Sequence, residues 1–276
     1  MADLVMGYCA SHAPMMAAAR EAAPPEQGER FFGALRRVSQ EAVKRKVQAV
    51  VMLSGEHFTN FFLQNLPQIA IGLGDDFLGP EAKWLPIPEV HVPGQPDLAA
   101  HVAKEVVAAG FDPAISYDLK LDHGFMTVYY ELDSMMRLPM VPIVLNCTTP
   151  PLMTLKHAYD FGVALGDAIR SFDGLERVAV LAGGGLSHFV GEPRVGDIDE
   201  AFDRWFLERL ATQDYDELLS LPNDELMEAG NGTSEVRSWV AVAGAMRGAK
   251  ATTLAYEPIY PWINGMGVVL FDQPTV

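Results

Sequence analysis

Short apolar runs alternate with amphipathic stretches along the whole chain, and that rhythm admits few architectures. Residues 4–10, 49–53, 67–72, 141–146 and 178–182 are apolar over strand-like lengths. Residues 27–46, 96–109, 154–171 and 198–211 place apolar side chains at helical spacing. Near the end, 234–246 reads as a helix, and 250–256 and 267–271 read as strands. Such alternation predicts an α/β fold: a single layered domain over 1–276 with a central, largely parallel or mixed sheet flanked by helices. The sequence shows no internal repeat or low-complexity tract. The proline-rich stretch 78–96 reads as a long irregular loop, of the kind that forms lids or binding loops.

Composition narrows the function classes. Lys and Arg total 20 against 36 Asp and Glu, a formal charge of −16. An acidic surface of that size disfavours nucleic acid and anionic membranes as partners. No run of 18 apolar residues free of charge suggests a membrane span. The opening MADLVMGYCASHAP has no basic leader region and reads as a first strand, so a cytoplasmic location is expected. Cys9 and Cys147 lie in apolar runs and are expected to be buried free thiols. The chain has no CxxC spacing, which argues against a structural zinc site.

Four stretches end on side chains that can bind a metal: His12, His57, His188 and Glu235. The three histidines each follow a strand by a few residues, and ligands of open α/β sheets gather at the carboxyl ends of strands. Two imidazoles and a carboxylate can hold a non-heme Fe(II) by one face and leave the other open. A further imidazole would supply acid–base chemistry. Each residue also has a plain structural reading. His12 and His57 are lone histidines after strands. Glu235 sits in a helical first turn, where the helix dipole favours an acid. Glu56 is a neighbour of His57 or a surface charge, and Arg237 would pair with the Glu235 carboxylate or with a substrate. The run Gly183-Gly184-Gly185 has no following Lys-Ser/Thr, which excludes a P-loop and leaves close backbone packing beside a ligand. Ser187 and His188 are adjacent, which does not suit a nucleophile–base pair, and no GxSxG elbow occurs. His123 precedes a helical run and reads as a local packing residue or a second proton shuttle. His91, His101 and His157 read as surface or structural.

Taken together, Ser11-His12-Ala13-Pro14, Gly55-Glu56-His57-Phe58, Leu121-Asp122-His123-Gly124, Gly184-Gly185-Leu186-Ser187-His188 and Asn231-Gly232 followed by Glu235 span nearly the whole chain. In this order and spacing the chain resembles the class III extradiol ring-cleavage dioxygenases, the group of the protocatechuate 4,5-dioxygenase catalytic subunit and gallate dioxygenase. The resemblance implies Fe(2+) held by His12, His57 and Glu235, with His188 transferring protons beside the open face. It implies that His123 contacts a substrate hydroxyl or assists proton transfer, and it points to Tyr260 and Asn264 as pocket residues. The implied reaction inserts O2 into a catecholic aromatic acid, such as a protocatechuate-, gallate- or lignin-derived biphenyl-type substrate, giving a muconic semialdehyde-type product. It also implies a homo-oligomer, a dimer, and, with no fused lid domain expected after the last strand, either a separate small lid subunit or an enzyme that does without one. A zinc-dependent metallohydrolase on the same ligands and a non-catalytic binding protein of this fold remain alternatives at this level.

Overall fold

The computed structural model describes residues 1–132 and 137–272. In chain order the strands are β1 (Asp3–Ala10), β2 (Ala49–Gly55), β3 (Ile69–Gly72), β4 (Asp76–Gly79), β5 (Val90–Pro93), β6 (Ala114–Ser116), β7 (Met140–Leu145), β8 (Arg177–Gly183), β9 (Lys250–Ile259) and β10 (Asn264–Asp272). The helices are α1 (Met15–Ala18), α2 (Pro25–Lys44), α3 (Pro96–Ala108), α4 (His123–Tyr130), α5 (Leu155–Ser171), α6 (Glu200–Thr212), α7 (Tyr215–Ser220), α8 (Asn223–Glu228) and α9 (Val236–Ala245). Eight strands form one mixed sheet in the order β6-β3-β7-β2-β8-β1-β10-β9. Its centre, β7-β2-β8-β1, is parallel. β10 and β9 close one edge by antiparallel pairing, and β3 runs antiparallel to β7 at the other side.

The central strands are apolar throughout because both of their faces are covered. In β2, Val51 and Leu53 enter one core while Val50 and Met52 enter the other, as the two-residue period of a strand requires. The first core holds Leu98 and Val102 of α3, Phe161 and Leu165 of α5, and Trp239 and Val240 of α9. The second holds Phe31, Leu35 and Val38 of α2 and Phe125 of α4. Among the described residues, no helix is long and apolar enough to cross a membrane. Cys9 and Cys147 are buried free thiols.

One sequence expectation needs correction. The stretch 78–96 is not an irregular loop throughout, because β4 and β5 pair antiparallel as a small separate sheet. Phe77 lies opposite Val92, and both are buried. Four-residue strands beside prolines carry too little alternation to be read locally, and it is the burial of Phe77 and Val92 that defines them.

Candidate metal centre

β2, β8 and β1 are parallel neighbours, so the turns after them leave the sheet side by side. His12 stands two residues beyond β1, His57 two beyond β2, and His188 at the end of the glycine turn after β8. His123 is the first residue of α4, and Glu235 ends the 3-10 turn Asn231–Glu235 that leads into α9. These five meet at one cavity of about 550 Å³. The ring centroids of His12 and His57 lie 5.1 Å apart, those of His12 and His123 5.5 Å, and those of His57 and His123 4.2 Å. The Glu235 carboxylate lies between two of them, with Oε1 2.9 Å from His57 Nε2 and Oε2 3.3 Å from His12 Nε2. The Gly185 N–H also donates to Oε2.

Asp122 organises this cluster from behind. Its Oδ1 caps α4 by accepting from the Gly124 and Phe125 N–H groups. Its Oδ2 lies 2.7 Å from His57 Nδ1 and accepts that proton, which leaves His57 Nε2 directed at Glu235. Burial opposes the Asp122 charge, yet His57 outweighs it and holds the carboxyl at about 2. Burial likewise opposes an imidazolium at His57, but the Asp122 and Glu235 carboxylates push its pKa well above the ordinary value. Glu235 is buried too, and His12 and His57 hold its pKa well below the usual carboxylate range. A carboxylate-backed imidazole facing a second imidazole and an anionic carboxylate matches the donor set of a divalent metal site. The buried His12 Nδ1 has no hydrogen-bond partner. Sequence reading passed over Asp122, although an acid directly before a helix start was a signal available in the Leu121–Gly124 motif.

His123 can join the same grouping. One nitrogen from each of His12, His57 and His123 lies within 4.8 Å of the others. Burial, then the neighbouring His57, lowers the His123 pKa to about 3, so its ring is neutral at neutral pH. Gly124 makes room for this packing, because a methyl there would stand 2.8 Å from His57 Cε1 and 3.0 Å from His12 Cε1.

His188 is held separately. Its Nδ1–H donates to the Leu186 carbonyl at 2.9 Å, which leaves Nε2 as the basic nitrogen. Burial lowers its pKa from the ordinary value, so this imidazole is also neutral at neutral pH. The ring sits in a slot of glycines: a methyl at Gly185 would lie 2.2 Å from its Cε1, and one at Gly232 would lie 2.1 Å from its Nε2. The expected close backbone packing of the glycine run is thus a seat for an imidazole. The neighbouring residue fastens the turn. Ser187 N–H and Oγ–H donate to buried Asp203 at 2.8 and 2.9 Å, and Tyr256 O–H donates to the same carboxylate at 2.8 Å. Gly185→Ala is expected to fold but to displace His188, because the ring and an added methyl cannot share that space. Histidine NMR signals moved for this ring alone would check it.

Six of the seven residues singled out from sequence line the cavity: His12, His57, His123, His188, Glu235 and Asn264. The seventh, Tyr260, lies outside it. That residue is 52% exposed and its hydroxyl donates to Glu200. Arg237 pairs with neither Glu235 nor the cavity. It is fully buried and donates to the carbonyls of Met153 and Ser234 and to Asn223 Oδ1. Glu56 is buried and accepts from the Thr59 and Asn60 N–H groups, securing the turn that follows His57. His91 faces Asp76 at the surface, His101 bonds Ala168 O and Ser171, and His157 packs on Phe111.

A histidine–carboxylate cluster beside the strand ends of an α/β sheet, lining one cavity, is the arrangement of a metal-dependent enzyme. Comparison with known proteins identifies which kind. A family model described as the catalytic LigB subunit of aromatic ring-opening dioxygenase matches residues 6–267. The chain belongs to this family, the class III extradiol dioxygenases. Every member of the cluster lies inside the matched span. Among its relatives is a 2,3-dihydroxyphenylpropionate/2,3-dihydroxicinnamic acid 1,2-dioxygenase of Dechloromonas aromatica, 26% identical over 95% of this chain and 96% of the relative. Another of that name from Cupriavidus necator is 28% identical over 86% of this chain and 90% of its own length. The crystal structure of an uncharacterized Escherichia coli K12 protein shares the fold, with a TM-score of 0.64 at 14% identity over 96% of this chain and 99% of that one.

Proposed function

We propose that this protein is an Fe(II)-dependent extradiol dioxygenase that opens the ring of a catechol at the bond beside its two hydroxyls, with His12, His57 and Glu235 holding the iron. The observation that carries this reading is the Glu235 carboxylate set between His12 Nε2 and His57 Nε2, with Asp122 behind His57. Two imidazoles and one carboxylate are the donor set of non-heme Fe(II) oxygenases. Bound there, the iron would supply Lewis acidity toward a catechol and redox chemistry toward dioxygen.

The chain's own groups do the rest. His188, neutral and with Nε2 basic, accepts a proton from a substrate hydroxyl and returns it as the ring opens. His123, neutral beside His57, serves as a hydrogen-bond partner for a substrate oxygen. Asn264 is buried on the same cavity and brings a neutral side-chain amide to its wall. The product is a muconic semialdehyde-type compound.

The test is anaerobic reconstitution with ferrous salt, followed by oxygen uptake and absorbance of the yellow product over a panel of substituted catechols. Iron-loaded protein that consumes no oxygen with any of them would overturn the reading, as would activity restored by Zn²⁺ and not by Fe²⁺. The role of Asp122 has its own check. Asp122→Asn keeps a cap for α4 but weakens the acceptor behind His57. Iron affinity is expected to fall about 10- to 100-fold in competition with a chelator.

A further inference from the structure

The cavity walls beyond the cluster bear on what the substrate carries. Resting on the dioxygenase reading above, we propose that the catechol's ring substituent is uncharged and apolar, an alkyl or aryl group, and not a carboxylate-bearing chain. This departs from the aromatic acids that the sequence resemblance implies and for which the relatives are named.

Apart from the cluster, the wall is formed largely by Met15, Phe58, Trp84, Val190, Trp262 and Ile263. Among the described residues, no Lys or Arg lines the cavity. The remaining stretches, 133–136 and 273–276, contain neither residue type in the sequence. The cations nearest in sequence to wall residues are already engaged. Arg20 pairs with Glu131, Lys83 with Glu89 and Arg194 with Asp197, while Arg237 is buried on three acceptors. The N-terminal N–H groups of α4 are already taken by Asp122.

The neutral polar groups do not replace a cation. Asn231 bonds both the N–H and the carbonyl of Val190. The Asn264 side chain on the wall is a neutral amide and adds no positive charge. A substrate carboxylate would therefore enter an apolar wall inside a protein of net charge −16. An apolar substituent meets the opposite conditions. Phe58 is 42%, Trp84 62% and Val190 57% exposed, so apolar surface lines the mouth and is left uncovered. The volume of about 550 Å³ has room for a second ring beside the catechol.

A matched pair of ligands tests this: 3-(2,3-dihydroxyphenyl)propionate and its methyl ester, with 2,3-dihydroxybiphenyl as the aryl case. Binding to the metal-free protein is read by quenching of tryptophan fluorescence, since Trp84 and Trp262 line the cavity. Turnover is read separately on the iron-loaded enzyme. The ester and the biphenyl are expected to exceed the acid by about 100-fold in both affinity and kcat/KM. Val190→Arg, which places a cation on the wall, is expected to shrink the ester-to-acid ratio by about tenfold or more. An acid that binds as tightly as its ester overturns the proposal, and so would a cation reaching the cavity from a second copy of the chain, which would produce that same result. Absence of turnover with all three, with the ester still bound more tightly than the acid, overturns the dioxygenase reading and leaves the cavity's preference standing.

Discussion

Glu235→Ala and His12→Ala purify without iron and do not regain it on anaerobic reconstitution, and oxygen uptake falls by at least about 1,000-fold, because the metal supplies several kcal/mol of transition-state charge stabilisation. Glu235 supplies the anion of the set. Removing it leaves His12 and His57 facing one another without the carboxylate that now lies between them. His123→Ala separates two possible ligand sets, since His12, His57 and His123 also bring their nitrogens within 4.8 Å of one another. If Glu235 completes the site, His123→Ala keeps its iron and loses substrate affinity. Iron lost in His123→Ala and retained in Glu235→Ala would mean that three imidazoles hold the metal. Metal content by elemental analysis of each purified variant decides between them.

His188→Ala gives the opposite pattern: iron is retained and turnover falls about 100- to 10,000-fold, the usual worth of a positioned acid–base group. The pH profile supplies a second readout. His188 must be unprotonated to accept a proton, so kcat/KM rises with pH through its pKa and levels off above it. Burial lowers that pKa, which puts the acid limb below the ordinary imidazole value of about 6.5. His188→Ala should lose this limb along with the rate. Iron loss equal to that of Glu235→Ala would show that His188 is a ligand.

Much of this site was legible from local pattern. The apolar runs of β1, β2 and β8 end just before His12, His57 and the glycine turn of His188, so the chain itself marks these residues as following strand ends. Other parts were hidden for physical reasons. An acid at a helix start looks the same whether it only caps the helix or also holds an imidazole, and Asp122 does both. Tyr260 and Asn264 belong to one C-terminal segment. There the 3-10 turn Tyr260–Trp262, closed by Ile263 at φ 54°, leaves Tyr260 exposed while Trp262 and Asn264 line the cavity. Arg237, three residues from Ser234, was free on paper to meet a carboxylate, but its guanidinium is enclosed by carbonyls and Asn223.

By itself the sequence determined the longer strands and helices, the acidic balance, and the short list of side chains with chemistry to offer. Those properties reside in composition and in the two- and 3.6-residue periods, which a window over a long element displays. Only the tertiary structure decided that His57 and Glu235, separated by 178 positions, stand 2.9 Å apart, and that the remaining walls are apolar and without a cation. The reason is the order of the strands. β2, β8 and β1 are neighbours in the sheet although far apart in the chain, and that adjacency comes from packing two cores at once, which no local pattern encodes.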